Sequence, residues 1–177
     1  MYHVVEAPVN NAGTPRRVPA AWAGPTGKAN KEKIQMKLVV FVDQEDTAHS
    51  VIAAAVCNRM AERWRLAGLW AQSAGLSVQE GEAAAPAAVQ AAREFGIELP
   101  PHCARGLTQA LIEQASLLVA LNRPDYEALL KLAPMEKVYL MQSGKALFPL
   151  DIWACRRSVD QAFDGFQELW RFLRGRV

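Results

Sequence analysis

The stretch "VVFVDQEDTAHSVIAAAV", residues 39–56, decides the fold. With Lys37 and Leu38 ahead of it, its first part gives "KLVVFV", residues 37–42. This unbroken, mostly β-branched apolar run is the pattern of a strand buried on both faces. Its last part begins a helix, expected over residues 51 to about 66, with Ser50 as candidate cap and an end before Gly68. Between them lies the polar loop "DQEDTAHS", residues 43–50. A strand–loop–helix unit offers the free amides of the helix start to an anion. Here the loop has three carboxylates, on Asp43, Glu45 and Asp46, and neither arginine nor cysteine. Carboxylates at a helix start answer the amides and dipole themselves, by about 0.3–1 kcal/mol each when exposed. Such a loop needs no bound anion.

Outward from this unit, strand and helix signals alternate. "LWAQSAG" (69–75) reads as a second strand, and "GEAAAPAAVQAAREFG" (81–96) as an alanine-rich helix. "LPPH" (99–102) is a loop because its two prolines bar a helix. "LTQALIEQA" (107–115) is a helix, "SLLVAL" (116–121) a third buried strand, and "PDYEALLKL" (124–132) a helix with proline in its first turn. "EKVYLM" (136–141) is a fourth strand. "SVDQAFDGFQELWRFLRG" (158–175) is a long amphipathic helix with Val159, Ala162, Phe163, Phe166, Leu169, Trp170 and Leu173 on one stripe. Four short strands separated by helices imply an α/β, three-layer sandwich, a four-stranded parallel sheet with helices on both faces. Such sheets bind ligands at the carboxyl ends of their strands, where strand order reverses, and the 43–50 loop leaves such an end.

Composition narrows the function classes. The chain has 177 residues, 51% hydrophobic, with a net charge of +2 and both signs interspersed. That is enough for one domain with a core and argues against nucleic-acid binding, which needs a basic face. No apolar run reaches the ~20 residues of a membrane span. Cys57, Cys103 and Cys155 are scattered, with no CxxC, as expected of reduced thiols in a cytoplasmic protein. Residues 1–35 hold four prolines, five Lys or Arg and two Glu, and no apolar period. They are expected to be a disordered basic leader, or the product of a start assigned ahead of Met36, with the domain spanning residues 36–177.

The order and spacing of the phrases "KLVVFV", loop, "SVIAAA", then "SAG", "FGIELPPHCARGLT", "ASLLVALNRPDYEALLKLAP", "EKVYLM" and "DIW" resembles the low-molecular-weight protein tyrosine phosphatases. Arsenate reductases and protein-arginine phosphatases are relatives of that family. The resemblance implies its fold over residues 37–173. It also implies a site built on a C-x5-R-S loop: a cysteine thiolate attacks phosphorus, loop amides and an arginine fork hold the phosphoryl oxygens, and a distant aspartate in a D-P dipeptide acts as general acid. Laid onto this chain without a gap, the nucleophile position is Asp43, the glycine position Glu45 and the asparagine position Asp46. The second-cysteine position is Ala48 and the arginine position His49, while Ser50 keeps the family's serine. "DIWACRRS" takes the place of the acid segment, so the acid falls on Ala154 and its proline on Cys155. Nucleophile, phosphate clamp and general acid are therefore replaced. The resemblance also makes His102 a structural residue that holds a loop by hydrogen bonds.

Three other chemistries are open to these residues. "VVFVDQEDT" has the apolar-strand, D-x-E-x-T form of an aspartyl-phosphate phosphatase motif, which would need Mg²⁺ and further acidic ligands. Its second acid is one carbon too long, and no acidic pair follows the last strand. Asp43, Glu45 and Asp46 could alternatively hold a metal through oxygen, although self-capping explains them without one. Cys155, flanked by Arg156 and Arg157, could be an activated thiol on the former acid loop. Cys57, two turns into the first helix, reads as a small buried residue.

The expectation is a fold of this family that has lost phosphatase activity and acts by binding or regulation, without cofactor or metal. Its surface would be Asp43, Glu45, Asp46, Thr47 and His49 facing Trp153, Arg156 and Arg157. The partner would be an unidentified protein or a second copy of the chain. The alternative is an enzyme of the same fold, acting on a phosphoprotein or small phosphoester through Asp43 with Mg²⁺ or through Cys155.

Overall fold

A computed structural model describes residues 36–141 and 151–175. Residues 1–35, expected to be a leader, lie outside the described residues, as do 142–150 and the last two. Within them the order is β1 (Lys37–Asp43), α1 (His49–Arg63), β2 (Leu69–Gly75), α2 (Pro86–Glu94), α3 (Gln109–Gln114), β3 (Leu117–Ala120), α4 (Arg123–Leu132), β4 (Val138–Leu140) and α5 (Ile152–Arg174). The strands form one sheet in the order β2-β1-β3-β4, every pair parallel. This is the expected three-layer α/β sandwich.

The apolar run of β1 explains the layers. Successive side chains of a strand point to opposite faces. Val39 and Phe41 join a core with α1, α2 and α5 residues such as Ile52, Met60, Ala91, Phe166 and Leu169. Leu38, Val40 and Val42 join a second core with Ile112, Leu118 and Leu129 beneath α3 and α4. The stripe on α5 lies on the first core, with Val159, Ala162, Phe163, Phe166, Leu169 and Leu173 buried. Cys57 is buried on α1 among the same residues.

The chain adds β2 on one side of β1 and then β3 on the other. Strand order therefore reverses at the carboxyl end of β1, and the 43–48 loop emerges at that switch point.

Several element limits differ from expectation, each for a local reason. Helix α1 starts at His49, capped from outside: residue 48 contributes no side-chain cap, Ser50 lies within the helix, and its N–H is taken by the Asp43 carboxylate. Helix α2 is shorter than the alanine-rich run, because Pro86 occupies its first turn and Gly81, at φ +83, keeps the preceding segment out of helix. The last three residues before β4 form a single 3₁₀ turn, Met135–Lys137. The largest correction is α5, which begins at Ile152 rather than Ser158. The Asp151 carboxylate accepts the Ala154 N–H at 2.7 Å and caps it. The buried Cys155, about one turn before Val159, extends the apolar stripe back toward this start. "DIWACRRS" is the start of a helix and not a loop.

Candidate functional site

A cavity of about 340 Å³ opens at the switch point, lined among the described residues by Asp43, Gln44, Glu45, Thr47, Ala48, His49, Ser77, Leu121, Asn122 and Asp125. The end of β1, the start of α1, the turn after β2 and the β3–α4 junction each contribute. The sequence pointed to the first two. It did not single out Ser77, Leu121, Asn122 or Asp125.

Asp43 governs the loop. It is 8% exposed. Its Oδ1 accepts the Asp46 N–H at 2.7 Å and its Oδ2 accepts the Ser50 N–H at 2.9 Å. The carboxylate turns inward and occupies amides that an anion-binding loop would leave for its ligand. The loop is also braced from outside. The amides of Leu76, Ser77 and Ala85 donate to the carbonyls of Asp43, Gln44 and Thr47 at 2.8–2.9 Å. Gly75 lies so close that a Cβ there would sit 2.9 Å from the Gln44 carbonyl oxygen and 3.0 Å from the Asp46 nitrogen.

Asp46 is structural. It is fully buried and adopts φ +54, a left-handed conformation that Asn and Asp tolerate best after glycine. Its Oδ1 accepts the Ser50 hydroxyl at 3.3 Å and its Oδ2 accepts the Arg105 N–H at 3.0 Å. His102 Nε2 donates to the Asp46 carbonyl at 2.6 Å, which fixes the proton on Nε2 because a carbonyl cannot donate. His102 thus holds the loop, the structural part the resemblance gave it. Asp46 does not line the cavity, so the three loop carboxylates do not converge. Among the described residues no group of three or more His, Cys, Asp or Glu is placed to hold a metal ion.

The third carboxylate of the cavity is Asp125, 1% exposed on the first turn of α4. Asn122 caps that helix with its oxygen on the Asp125 N–H at 2.8 Å, and its amide nitrogen donates back to Asp125 Oδ2 at 2.6 Å. Gln44 Nε2 donates to Asp125 Oδ1 at 2.5 Å and ties the loop to α4. Burial pushes the Asp125 carboxyl above its ordinary value, and the Asp43 charge adds to the rise. Hydrogen bonds from Gln44 and Asn122, and His49 beside it, act in the opposite direction. The reciprocal pair in "NRPD" is a variant of the capping box and was the available sequence signal. Its reach into the site through Gln44 spans 81 residues and had no local sign.

His49 lines the cavity, and its Nδ1 lies 2.6 Å from the Ser158 hydroxyl of α5. Trp153, Arg156 and Arg157 do not line it. Arg156 forms a two-pronged pair with Glu94 of α2, at 2.6 and 2.7 Å, and its guanidinium lies 4.7 Å from the centre of the Trp153 ring. Trp153 is 64% exposed and Arg157 is exposed on the same helix start. Ala154 is fully buried within α5. The expected surface of two facing segments is thus split. The helical start of α5 turns Ala154 and Cys155 into the core and directs Arg156 to α2.

Cys155 is fully buried, and burial, then the Asp151 charge, push its thiol above the ordinary range. An activated thiol needs the opposite environment, so the expectation of Cys155 chemistry is withdrawn. Cys57 is pushed up to about 12 by burial. Cys103 is exposed.

Comparison with known proteins agrees with the architecture. Residues 38–146 match the family model for low molecular weight phosphotyrosine protein phosphatase. The low molecular weight protein-tyrosine-phosphatase Wzb of Escherichia coli is 27% identical over 95 residues, a match that spans 54% of this chain and 64% of Wzb. The solution structure of a low molecular weight protein tyrosine phosphatase from Bacillus subtilis superposes with a TM-score of 0.68 at 26% identity, covering 78% of this chain and 97% of that one. A protein tyrosine phosphatase from Entamoeba histolytica superposes with a TM-score of 0.72 at 18% identity, covering 80% and 99%. With its sheet order, its switch-point loop and more than half its length matched, the chain belongs to the low molecular weight phosphotyrosine protein phosphatase family.

Proposed function

We propose that this chain keeps the family's fold but does not hydrolyse phosphate esters, and acts by binding through the cavity at the 43–50 loop. The observation that carries this reading is the Asp43 carboxylate, seated on the Asp46 and Ser50 amides where an anion-binding loop would hold its ligand. The cavity's carboxylates Asp43, Glu45 and Asp125 add repulsion for a phosphate dianion. No arginine lines the cavity among the described residues. His49 in the arginine's place has no fork with which to grip two oxygens. Asp43 is a poor nucleophile, since both its oxygens already accept hydrogen bonds. The partner is an unidentified protein or a second copy of the chain. The free cysteines fit a cytoplasmic setting, and no described helix is long and apolar enough to cross a membrane.

The test is turnover of p-nitrophenyl phosphate by the purified chain, with Mg²⁺ and with EDTA. No turnover is expected in either. Turnover abolished by Asp43→Asn would overturn the reading in favour of an aspartyl mechanism. A paired variant, Asp43→Cys with His49→Arg, asks whether the loop can be returned to the family's chemistry. Ala154 is left unchanged because a buried aspartate on α5 would not reach the cavity.

A further inference from the structure

We propose that the end of the molecule opposite the cavity docks on an anionic lipid surface. All four strands are parallel and the helices between them run back, so strand starts and helix ends gather at one end. Lysine side chains tie that end together. Lys37 Nζ, at the start of β1, donates to the Leu173 carbonyl in the last turn of α5 at 2.7 Å. Lys137 Nζ, just before β4, donates to the Ile112 and Glu113 carbonyls of α3 at 3.1 and 2.9 Å. The 43–50 loop leaves the other end of β1, a strand of 7 residues and therefore roughly 20 Å away. The basal end takes no part in the site built on that loop.

Three features of this end carry the proposal. The first is apolar exposure. Six large apolar side chains are exposed among the described residues, and five of them are here: Met36, Trp70, Leu130, Leu132 and Met135. Met36 and Trp70 stand at the starts of β1 and β2, and the other three at the end of α4 and the turn before β4. The four strand starts span only about 15 Å. The second is charge. Arg63, Lys131, Arg171 and Arg174 occupy the last turns of α1, α4 and α5. Arg65, two residues beyond α1, holds φ +53, a conformation that glycine adopts more easily. Against these bases stand Glu62, Glu113 and Glu136, with Glu168 further up α5, and Glu62 is paired with Arg59 at 3.8 Å. The chain ahead of Met36 adds five Lys or Arg against two Glu. The third is a pair of half-buried indoles, Trp64 just after α1 and Trp170 in α5. Their N–H groups are buried with no hydrogen-bond partner among the described residues. Buried indoles are normally paired, and at a bilayer surface headgroup oxygens accept from them.

These features together select the occupant. Apolar tips mixed with bases and tryptophans are the composition of a face that lies on a membrane, and its charge fits anionic lipid. Attachment of this kind needs no membrane-spanning segment. A second copy of the chain would set like charges against each other. Met36 and Met135, 66% and 72% exposed, protrude, which suits a deformable bilayer better than the closely packed core of a protein interface. Docked in this way, the cavity with Asp43, Glu45 and Asp125 faces the aqueous side.

The experiment is flotation of the full chain with phosphatidylcholine vesicles, made with and without phosphatidylserine. Binding is expected only with phosphatidylserine, and it should weaken as salt rises. A nitroxide-bearing lipid should broaden the amide signals of Trp70, Leu132, Met135 and Arg171 and spare that of Thr47. Arg171→Gln with Arg174→Gln should weaken vesicle binding by about ten- to thirtyfold, the contribution of two bases at a lipid surface. Leu132→Ser with Met135→Ser, both at exposed positions, should weaken it by about tenfold. Arg123→Gln, the same charge change at the opposite end, should leave it unaltered. No binding to the anionic vesicles, broadening centred on the 43–50 loop, or binding untouched by both paired substitutions overturns the proposal. Binding to polyglutamate without binding to vesicles also overturns it, and assigns this end to an acidic protein.

Discussion

Replacing Asp43 by alanine tests the central feature of the site. The substitution removes two charge-assisted hydrogen bonds, to the Asp46 and Ser50 amides at 2.7 and 2.9 Å. Bonds to a charged group contribute about 1.5–3 kcal/mol each, a gross loss of roughly 3–6 kcal/mol. Two effects offset part of this. The variant no longer holds a carboxylate near Asp125, and water entering the cavity can return a partner to the amides. The expected net loss is about 3 kcal/mol. For a domain of this size that is a fall in melting temperature of roughly 6–12 °C. Asp43→Asn keeps one acceptor oxygen and should lose about half as much. Urea denaturation with an unchanged m-value is the assay. A companion measurement compares sodium sulfate with sodium chloride at equal ionic strength. Sulfate should stabilise the alanine variant more than the wild type, because the vacated amides form an anion site. An alanine variant within about 0.5 kcal/mol of wild type, with no added response to sulfate, refutes the assignment of Asp43 as the loop's internal anion.

Three further outcomes are expected. Alkylation of the native chain at neutral pH should modify Cys103 rapidly and spare Cys57 and Cys155 until denaturant is added, since the first is exposed and the others are buried; mass spectrometry of the digest reports it, and fast labelling of Cys155 would contradict its place in α5. Burial raises the Asp125 carboxyl above 3.8, so the native state binds that proton more tightly than the unfolded chain, and the associated stability is lost as pH rises from 3.8 through the raised value. The stability difference between Asp125→Asn and wild type should therefore shift in favour of the variant across that window, and a flat difference curve excludes a raised Asp125. Gly75→Ala should cost about 2 kcal/mol or more by denaturant titration, because its Cβ would meet Val78 Cγ1 at 2.3 Å, the Gln44 carbonyl oxygen at 2.9 Å and the Asp46 nitrogen at 3.0 Å; a neutral outcome would mean that the loop gives way.

What was legible in the sequence was whatever periodicity and local chemistry encode. The apolar run of residues 37–42, the stripe on the last helix, and proline in the first turn of α4 predicted a parallel three-layer sheet and placed a loop at its switch point. The acidic loop was expected to answer its own amides, and Asp43 does so. The start of α5 was hidden because "DIWACRRS" carries a helix cap, Asp151, ahead of only a few apolar residues. The family's pattern at that place pointed to a loop instead.

The sequence by itself determined the strands, the presence of a helix between and after them, the three-layer arrangement and the substitutions at the family's catalytic positions, because each is fixed by residues near one another in the chain or by a pattern repeated along it. Only the tertiary structure decided where the charges go. Gln44 reaches Asp125 across 81 residues, Arg156 reaches Glu94 across 62, and Cys155 turns inward. A charged side chain settles against whichever partner and degree of burial the packed elements bring to it, and no local stretch of sequence contains that partner. The cavity therefore gained Asp125 and lost Arg156. Its net negative charge follows from that exchange as well as from the loop.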